Sequence, residues 1–252
     1  MRMIAIIPAR GGSQGIPRKN ISELFGTPLI MWTINFALTQ NKFDAIVIST
    51  DCPEIAGVVA ASFQLKSEFS QLTPGEFWRL HENLFIHKRL DELSSSTSKT
   101  SDLVTSLVRD FELKDQDLIF LLQPTSPFRV NDEVEQILDL VAEGFSRIVS
   151  VKKAESPHPK KVFQMDQSKR PLNLRELSNL ESPRQSLGEY FAPDGAYYVL
   201  LVSEFLETKS FISQDLFALE RVGLKTLNID SIEDLEIANL YAPIFINYEE
   251  SK

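Results

Sequence analysis

The chain alternates between short, continuous apolar runs and stretches in which apolar residues recur at helical spacing. Apolar runs of roughly four to eight residues are typical of strands that are buried on both faces of a parallel sheet. Such runs lie at residues 3–8, 45–49, 118–122 and 147–151. Helical spacing predicts helices at residues 28–39, 53–63, 130–141 and 232–241.

Strands and helices that alternate along a chain form βαβ units, which pack into one sheet with helices on both faces. We therefore predict an α/β fold with a mainly parallel sheet. The length of 252 residues is compatible with one large domain, so residues 1–252 are assigned to a single domain. Ser231, with Asp234 three residues later, predicts a capping box at the start of the last helix.

Two stretches interrupt this alternation. Residues 64–101 are polar and irregular and end in the Ser/Thr-rich run 94–98, which predicts a surface loop or, alternatively, a lid over a substrate. Residues 153–200 carry prolines around short apolar patches. We interpret them as a strand-rich excursion from the main sheet that pairs with another subunit.

Composition and charge narrow the possible functions. Lys and Arg number 26 and Asp and Glu number 35, so the formal net charge of −9 argues against a sequence-independent nucleic-acid binder. A single cysteine, Cys52, excludes an internal disulfide, and the three histidines have no metal-binding spacing. The apolar runs are shorter than a membrane span of roughly 18–20 residues and shorter than a signal sequence requires. We expect a cytoplasmic protein with no membrane partner.

The strongest indication of chemistry lies in residues 8–20, PARGGSQGIPRKN, which directly follow the first predicted strand. Open α/β sheets bind ligands at the carboxyl ends of their strands, and glycines let backbone N–H groups approach phosphate oxygens closely. Arg10, Arg18 and Lys19 add cations to this loop of an otherwise acidic protein. The combination predicts a cradle for a polyphosphate, with a glycine-rich turn carrying solvated charges as the alternative. The spacing matches neither a P-loop nor a dinucleotide-binding fingerprint.

The segment IIPARGGSQGIPRKNI, residues 6–21, resembles the opening signature of the CMP-sialic acid synthetases, the acylneuraminate cytidylyltransferase family. Further segments agree with the family in their order along the chain: STD at 49–51, LLQPTSPFR at 121–129, PRQ at 183–185, PDGAYY at 193–198 and IDSIEDL at 229–235. The resemblance implies a Rossmann-like nucleotidyltransferase fold and transfer of CMP from CTP to the anomeric hydroxyl of a 2-keto sugar acid, with release of pyrophosphate. It also implies Mg²⁺ as cofactor and a homodimer.

The resemblance assigns several residues to the nucleotide. Those matched to the phosphates, ribose or base of CTP are Arg10, Gly12, Ser13, Lys19 and Asn20. Arg10 and Lys19 would stabilise the charge that develops on the α-phosphate and the leaving pyrophosphate. Arg89 lies near the position of a nucleotide-contacting arginine of the family, with a solvated loop arginine as the alternative.

The resemblance also assigns residues to the sugar. Gln123 follows a buried strand directly and matches a sugar-binding glutamine, whose amide can both donate and accept hydrogen bonds. Lys161 and Arg184 match residues that approach the site from the neighbouring subunit, and a guanidinium suits a sugar carboxylate. Tyr198 matches a tyrosine of the sugar pocket, with an ordinary strand aromatic as the alternative. Arg129 is interpreted as structural support for its loop.

Asp230 is the candidate carboxylate for both metal binding and catalysis. It lies just before the last helix, where it can share Mg²⁺ with phosphate oxygens, although helix capping is an alternative. The family usually has Asp-x-Asp at this point, whereas this chain has Asn228, so the first metal ligand would be a neutral amide oxygen. Gln14 in turn replaces a frequent lysine of the phosphate loop.

Three other functions stay open. The same chemistry could act on legionaminic acid, pseudaminic acid or Kdo. A nucleotidyltransferase could instead act on a sugar 1-phosphate, which would need more cations near Gln123 than Arg129 supplies. A non-catalytic protein that binds CTP or a CMP-sugar is the third alternative, and Asn228 and Gln14 are the residues that favour it.

Overall fold

An eight-stranded sheet forms the centre of the computed structural model, which describes residues 1–12, 15–95, 97–154, 156–172 and 177–251. The strands of the described residues are β1 (Met3–Pro8), β2 (Glu23–Leu24), β3 (Thr27–Pro28), β4 (Ala45–Thr50), β5 (Phe77–His81), β6 (Leu84–Lys88), β7 (Leu118–Leu121), β8 (Arg147–Lys153), β9 (Gln164–Met165), β10 (Pro171–Leu172), β11 (Phe191–Leu201) and β12 (Phe217–Glu220). Their α-helices are α1 (Leu29–Thr39), α2 (Pro53–Ser62), α3 (Thr100–Asp110), α4 (Asp132–Ala142), α5 (Leu177–Glu181), α6 (Val202–Thr208) and α7 (Ile232–Glu250).

The main sheet has the strand order β12-β8-β11-β7-β1-β4-β6-β5. Neighbours among β7, β1, β4 and β6 pair in parallel, and β12 pairs in parallel with β8. β11 is antiparallel to both of its neighbours, and β5 is antiparallel to β6. All strands of this sheet except β11 and β5 therefore run in one direction, which confirms the predicted, mainly parallel α/β fold.

Helices cover both faces of the sheet because successive strand residues face opposite cores. Along β1, Ile4 and Ile6 lie in a core shared with α3 and α6, whereas Ala5 and Ile7 lie in a core shared with α1, α2 and α4. Burial of each isoleucine side chain contributes about 1.5–3 kcal/mol to stability. A third core packs α7 against the ring of Phe128, which is fully buried.

The last helix begins where the sequence predicts and extends further. The Asp234 amide donates to the Ser231 hydroxyl at 3.2 Å, and the Ser231 amide donates to Asp234 Oδ2 at 2.8 Å, so the capping box is confirmed. Beyond Tyr241, Ala242 and Phe245 still pack into the third core, and the helix continues to residue 250. None of the described helices, α7 included, has the length and apolar character needed to cross a membrane.

The prediction of an irregular loop over residues 64–101 is wrong for residues 77–88. β5 and β6 form a hairpin that extends the main sheet beside β4. Leu84 and Ile86 in β6 are fully buried, but the equally buried His87 interrupts the apolar pattern. A strand whose inward positions include a histidine lacks the apolar run or the alternation by which strands are recognised.

The excursion predicted over residues 153–200 is shorter and poorer in strands than expected. β11, at its end, lies inside the main sheet between β8 and β7, and its residues Tyr197 and Val199 are buried. Among the described residues of 154–190, the strands are the two-residue β9 and β10, accompanied by the five-residue helix α5. Prolines lack the N–H group that a strand ladder needs, which limits strand formation in this region.

Candidate active site

A polar cleft of about 650 Å³ opens at the carboxyl ends of β1, β6 and β7. Open α/β sheets bind ligands at this edge because the loops that follow parallel strands meet there. The predicted site residues that line the cleft are Arg10, Lys19, Asn20, Arg89, Gln123, Asn228 and Asp230. The fold thus brings together side chains from four separate segments of the chain.

The glycine-rich loop after β1 is held against the start of α7. A Cβ atom on Gly15 would lie 2.2 Å from the Asp230 carbonyl oxygen, so a residue with a side chain cannot approach this closely. At the other end of the loop, Asn20 is buried and its Nδ2 donates to the Arg10 carbonyl at 3.0 Å. The Asn20 hydrogen bond thus joins the two ends of the loop, and the close approach at residue 15 requires a glycine.

Lys19 reaches from this loop to the segment before α7. Its Nζ donates to Asp230 Oδ1 at 2.8 Å and to the Ile229 carbonyl at 3.0 Å. Asn228 Nδ2 donates to the other Asp230 oxygen at 2.6 Å, and the Ser126 hydroxyl donates to Asn228 Oδ1 at 3.3 Å. The Lys19 side chain is 13% exposed and that of Asp230 is 67% exposed. The lysine is therefore fixed inside the cleft, while the carboxylate projects towards solvent.

Asp230 and Asn228 fit a magnesium ion that is shared with substrate phosphates. A carboxylate has more lone pairs than the two hydrogen bonds from Lys19 and Asn228 use. Mg²⁺ in nucleotide sites is typically held by one or two carboxylates plus phosphate oxygens. Within the described parts of the chain, no cluster of three or more His, Cys, Asp or Glu side chains could hold a metal, so the ion would depend on oxygens of the substrate.

Arg89 is a buried cation in the cleft, so its interpretation as a solvated loop arginine is wrong. Its Nη2 donates to the Ser49 carbonyl at 2.6 Å, and its Nε donates to the Ser49 hydroxyl at 3.2 Å. Burial lowers its pKa to about 10; the nearby Asp51 opposes this shift and Arg10 adds to it. Arg89 is therefore charged at neutral pH, and a bound anion would stabilise it.

Gln123 is held at the edge of the cleft by a buried arginine. Arg129 Nη2 donates to the Gln123 carbonyl at 2.8 Å, Nε donates to the Ala196 carbonyl at 3.1 Å and Nη1 donates to the Thr33 hydroxyl at 2.9 Å. The structural role predicted for Arg129 is thereby confirmed. Gly195, with a φ of +83°, leaves room for the glutamine, because a Cβ there would lie 2.5 Å from Gln123 Oε1.

One wall of the cleft comes from the stretch interpreted from the sequence as a surface loop or a lid, and its described lining residues are Leu93, Ser95, Ser98, Lys99 and Thr100. Arg10 Nη1 donates to the Ser95 carbonyl at 3.0 Å, which links the glycine-rich loop to this wall. Lys99 and Thr100 line the cleft where α3 begins. Lys99 adds a cation that sequence reasoning missed, because a lysine in a serine-rich stretch resembles any solvated surface lysine.

Three of the predicted sugar-binding residues lie outside this cleft. Lys161 Nζ donates to the Ser182 carbonyl at 2.7 Å, and Arg184 lines a separate pocket in the excursion. Tyr198 packs against Phe211, with ring centroids 5.8 Å apart. Tyr198 pairs with Leu121 at the end of β7, but its side chain packs into the core shared with α3 and α6 and is not part of the cleft lining.

Two residues of the glycine-rich loop also lie away from the cleft. Gly12 is exposed and is not part of the lining. Arg18 pairs with Glu54 at 2.9 Å and its side chain is 71% exposed, so it does not belong to the predicted phosphate cradle. The loop predictions that lie outside the described residues are those for Ser13 and Gln14.

Comparison with known proteins identifies the class. A family model described as Cytidylyltransferase matches residues 4–70. A solved CMP:2-keto-3-deoxy-manno-octonic acid synthetase in complex with CTP has a TM-score of 0.60 at 17% identity, over 97% of this chain and 100% of its own. This similarity concerns the fold. The fold, with its cleft at the carboxyl ends of the strands, is that of an α/β protein of the nucleotidyltransferase type.

Two curated relatives narrow the class to a family. CMP-N,N'-diacetyllegionaminic acid synthase of Legionella pneumophila is 30% identical over 216 residues, which cover 85% of this chain and 84% of the relative. N-acylneuraminate cytidylyltransferase of Escherichia coli is 28% identical over 94% of this chain and 51% of its own length. The chain belongs to the acylneuraminate cytidylyltransferase family. It spans about half the length of several of the curated relatives that it matches.

Proposed function

We propose that the protein transfers CMP from CTP to the anomeric hydroxyl of a sialic-acid-like 2-keto sugar acid and releases pyrophosphate. The observation that carries the proposal is the convergence of Arg10, Lys19 and Arg89 in one cleft of a chain with a net charge of −9. Clustered cations at the carboxyl edge of an α/β sheet suit a triphosphate. Similarity to relatives named for cytidylyl transfer and for CMP-sugar acid synthesis supports the assignment.

The residues of the cleft then have distinct roles. Arg10 and Lys19 bind the triphosphate and stabilise the charge that develops on the α-phosphate and on pyrophosphate. Gln123 orients the sugar through its amide. The anomeric oxygen attacks the α-phosphorus in line, and a P–O bond forms as the bond to the pyrophosphate oxygen breaks. Asp230 carries the only carboxylate among the described residues of the cleft, and this group or water accepts the hydroxyl proton.

Asp230 and Asn228 would hold Mg²⁺ together with phosphate oxygens of CTP. When bound, the ion supplies positive charge that offsets the charge of the triphosphate. Lys19 already contacts the Asp230 carboxylate, so its positive charge lies at the end of the cleft where the ion would bind. With a neutral amide at position 228, metal binding would depend more strongly on the substrate phosphates.

Pyrophosphate release from CTP tests the proposal against N-acetylneuraminic acid, legionaminic acid, pseudaminic acid and Kdo. We expect release with one of these acceptors in the presence of Mg²⁺ and none without an acceptor. EDTA is expected to abolish the reaction, and full activity in EDTA would contradict the role of the metal. If the folded protein binds CTP but releases no pyrophosphate with any acceptor, the result would instead support a nucleotide-binding protein. In that case the neutral Asn228 would have replaced a charged ligand for the metal.

We also propose that the protein forms a homodimer in which the excursion of one subunit completes the cleft of the other. The excursion and the start of β11 expose large apolar side chains, namely Val162, Phe163, Met165, Leu172, Tyr190 and Phe191. Exposed apolar surface of this kind commonly marks a protein interface. Lys161 and Arg184 lie on the same excursion, outside the cleft of their own chain.

Complementation between two inactive variants tests this arrangement. Homodimers of Lys19→Met lack an intact cleft, and homodimers of Arg184→Ala lack the cation supplied to the partner. In a mixed dimer, the Arg184→Ala chain keeps its own cleft and receives Arg184 from its partner. Random mixing of a two-fold symmetric dimer is expected to restore about a quarter of wild-type activity. A monomer in solution, or a mixture as inactive as its parents, would exclude a shared site.

A further inference from the structure

A chain of buried polar side chains leads from the cleft into the sheet. Arg89 Nε donates to the Ser49 hydroxyl at 3.2 Å, and Ser49 Oγ lies 3.0 Å from His87 Nδ1. Ser49 and His87 are fully buried and Arg89 is 5% exposed. Ser49 is in β4 and His87 in the adjacent β6, and the two residues are directly opposite in the parallel register. The hydrogen bond between Ser49 and His87 therefore joins two strands of the sheet and does not depend on flexible loops.

These hydrogen bonds are consistent with one tautomer of the histidine. Because an arginine can only donate, Ser49 Oγ accepts from Arg89, and its hydrogen can point to His87 Nδ1 when that nitrogen carries none. This arrangement corresponds to a neutral His87 with its hydrogen on Nε2. Burial lowers its pKa to about 4, against the opposing influence of Asp110, which agrees with the neutral form. The Phe77 ring lies against the imidazole, with centroids 4.8 Å apart.

The far side of His87 faces the end of α3. His87 Nε2 lies 4.0 Å from Asp110 Oδ2, and among the described residues it has no hydrogen-bond partner. Burial alone would raise the pKa of Asp110, but hydrogen bonds from Arg109 and Ser106 and the nearby charges outweigh it and lower the pKa. The carboxylate thus stays negative and favours the tautomer with hydrogen on Nε2. The same helix begins at the wall of the cleft, at Thr100.

We propose that Ser49 and His87 are positioning residues that hold the Arg89 guanidinium in the cleft for the anionic phosphates of the substrate. The proposal rests on the proposed function, since it takes CTP as the ligand. Ser49 occupies Nε and Nη2 of Arg89, while Nη1 has no hydrogen bond to any described residue and is available to a ligand. The positive charge of Arg10 acts on the same guanidinium. Fixed acceptors behind Arg89 keep this buried cation from turning away, and His87 orients the serine hydroxyl that provides one of them.

Three variants separate this role from a purely structural one. His87→Leu fills the site but removes the acceptor for the Ser49 hydroxyl. His87→Asn keeps an acceptor oxygen close to the position of Nδ1, and Ser49→Ala removes the hydroxyl itself. Leu84→Ala serves as a control for lost stability. Leu84 lies in the same strand and is equally buried, but it does not belong to the hydrogen-bonded series of Arg89, Ser49 and His87. CTP affinity is measured by calorimetry, kcat and KM for CTP by pyrophosphate release, and unfolding by a thermal scan.

We expect Ser49→Ala and His87→Leu to weaken CTP binding and to raise KM for CTP by about tenfold, with a smaller change in kcat. His87→Asn should restore most of the affinity, and Leu84→Ala should lower thermal stability without changing KM. If His87→Leu binds CTP as tightly as the wild type, or if all variants lose affinity only in proportion to stability, the positioning role is wrong. A folded wild type that does not bind CTP would overturn the proposed function, and the positioning role with it.

Discussion

Replacement of Lys19 by methionine is expected to lower kcat/KM for CTP by about 10²–10³-fold, the usual effect of losing one group that stabilises transition-state charge. Lys19 is the only cation of the cleft that contacts the candidate metal-binding carboxylate, among the residues that the structure describes. Its Nζ lies 2.8 Å from Asp230 Oδ1, and its side chain is only 13% exposed. Methionine fills the same volume without charge, so its effect on folding should be small. Steady-state rates of pyrophosphate release measure the loss.

The neighbouring Arg18 provides a matched control for Lys19. It lies in the same loop, but its side chain is 71% exposed and pairs with Glu54 outside the cleft. Arg18→Ala should therefore keep kcat/KM within about twofold of wild type, because exposed ion pairs contribute little. Lys19→Arg keeps the positive charge but replaces the compact ammonium group with a planar guanidinium. Its kcat/KM should therefore lie between those of Lys19→Met and Arg18→Ala. If Lys19→Met and Arg18→Ala have equal effects, the charge of the loop matters only through general attraction of the nucleotide.

The parts of the site that the sequence predicts are those in which chemistry follows a recognisable strand. β1 is a continuous apolar run, and the loop after it combines glycines with Arg10 and Lys19. Both the fold and the negative charge of the ligand could therefore be predicted. Gln123 follows β7 in the same manner. In each case the carboxyl end of a buried strand places the polar residue at the ligand-binding edge.

The environment of Arg89 could not be predicted, and the reason is a single residue. His87 occupies an inward position of β6, where an apolar residue would have made the strand recognisable. Without that strand, Arg89 has no assigned position in the sheet, and its burial cannot be inferred. The histidine that conceals the strand is the same one that orients the Ser49 hydroxyl beneath Arg89. Here function overrides the local pattern that sequence reasoning relies on.

The position of Tyr198 outside the cleft has a different cause. The apolar run at the end of the 153–200 stretch predicts a strand, but nothing in it indicates that β11 enters the middle of the main sheet in the antiparallel direction. In that position Gly195 lies against Gln123, whereas the ring of Tyr198 packs against Phe211 in the core shared with α3 and α6. Strand order depends on long-range packing, which a single sequence does not encode locally. Lys161 and Arg184 lie on the excursion, outside the cleft of their own chain, so the role predicted for them would require a second subunit.

A buried ion network behind the cleft leads to the largest expected effect on stability. Arg221 Nε donates to Glu133 Oε1 at 2.8 Å, and Nη1 donates to Asp194 Oδ2 at 2.7 Å. Burial alone would lower the pKa of Arg221, but the two carboxylates outweigh it and raise the pKa. Asp194 also accepts from the Ser150 hydroxyl at 2.5 Å and from the Ala196 amide at 3.0 Å. The network therefore fixes the irregular part of β11, between Pro193 and Tyr198, where Gly195 lies against Gln123.

Arg221→Met is expected to lower the free energy of unfolding by about 3–5 kcal/mol, because it removes the guanidinium that is hydrogen-bonded to two buried carboxylates. Lys225 Nζ remains 3.3 Å from Glu133 Oε1, and the charge of Arg129 acts on both Glu133 and Asp194, but neither cation is hydrogen-bonded to Asp194 among the described residues. Urea unfolding, with an unchanged m-value, measures the loss. Addition of Asp194→Asn to Arg221→Met removes one of the stranded charges. The double variant should therefore be more stable than the sum of the single effects by about 1–3 kcal/mol.

Arg147→Met is the matched control for this prediction. Arg147 is as buried as Arg221, but its Nε and Nη1 have no hydrogen-bond partner in the part of the chain that the structure describes. Its charged neighbour, Glu204, is 31% exposed and can be solvated when the arginine is lost. We therefore expect Arg147→Met to cost about 1 kcal/mol, close to the value of its hydrogen bonds. Equal losses for Arg147→Met and Arg221→Met would mean that burial of the arginine stem, and not neutralisation of Glu133 and Asp194, stabilises this part of the fold.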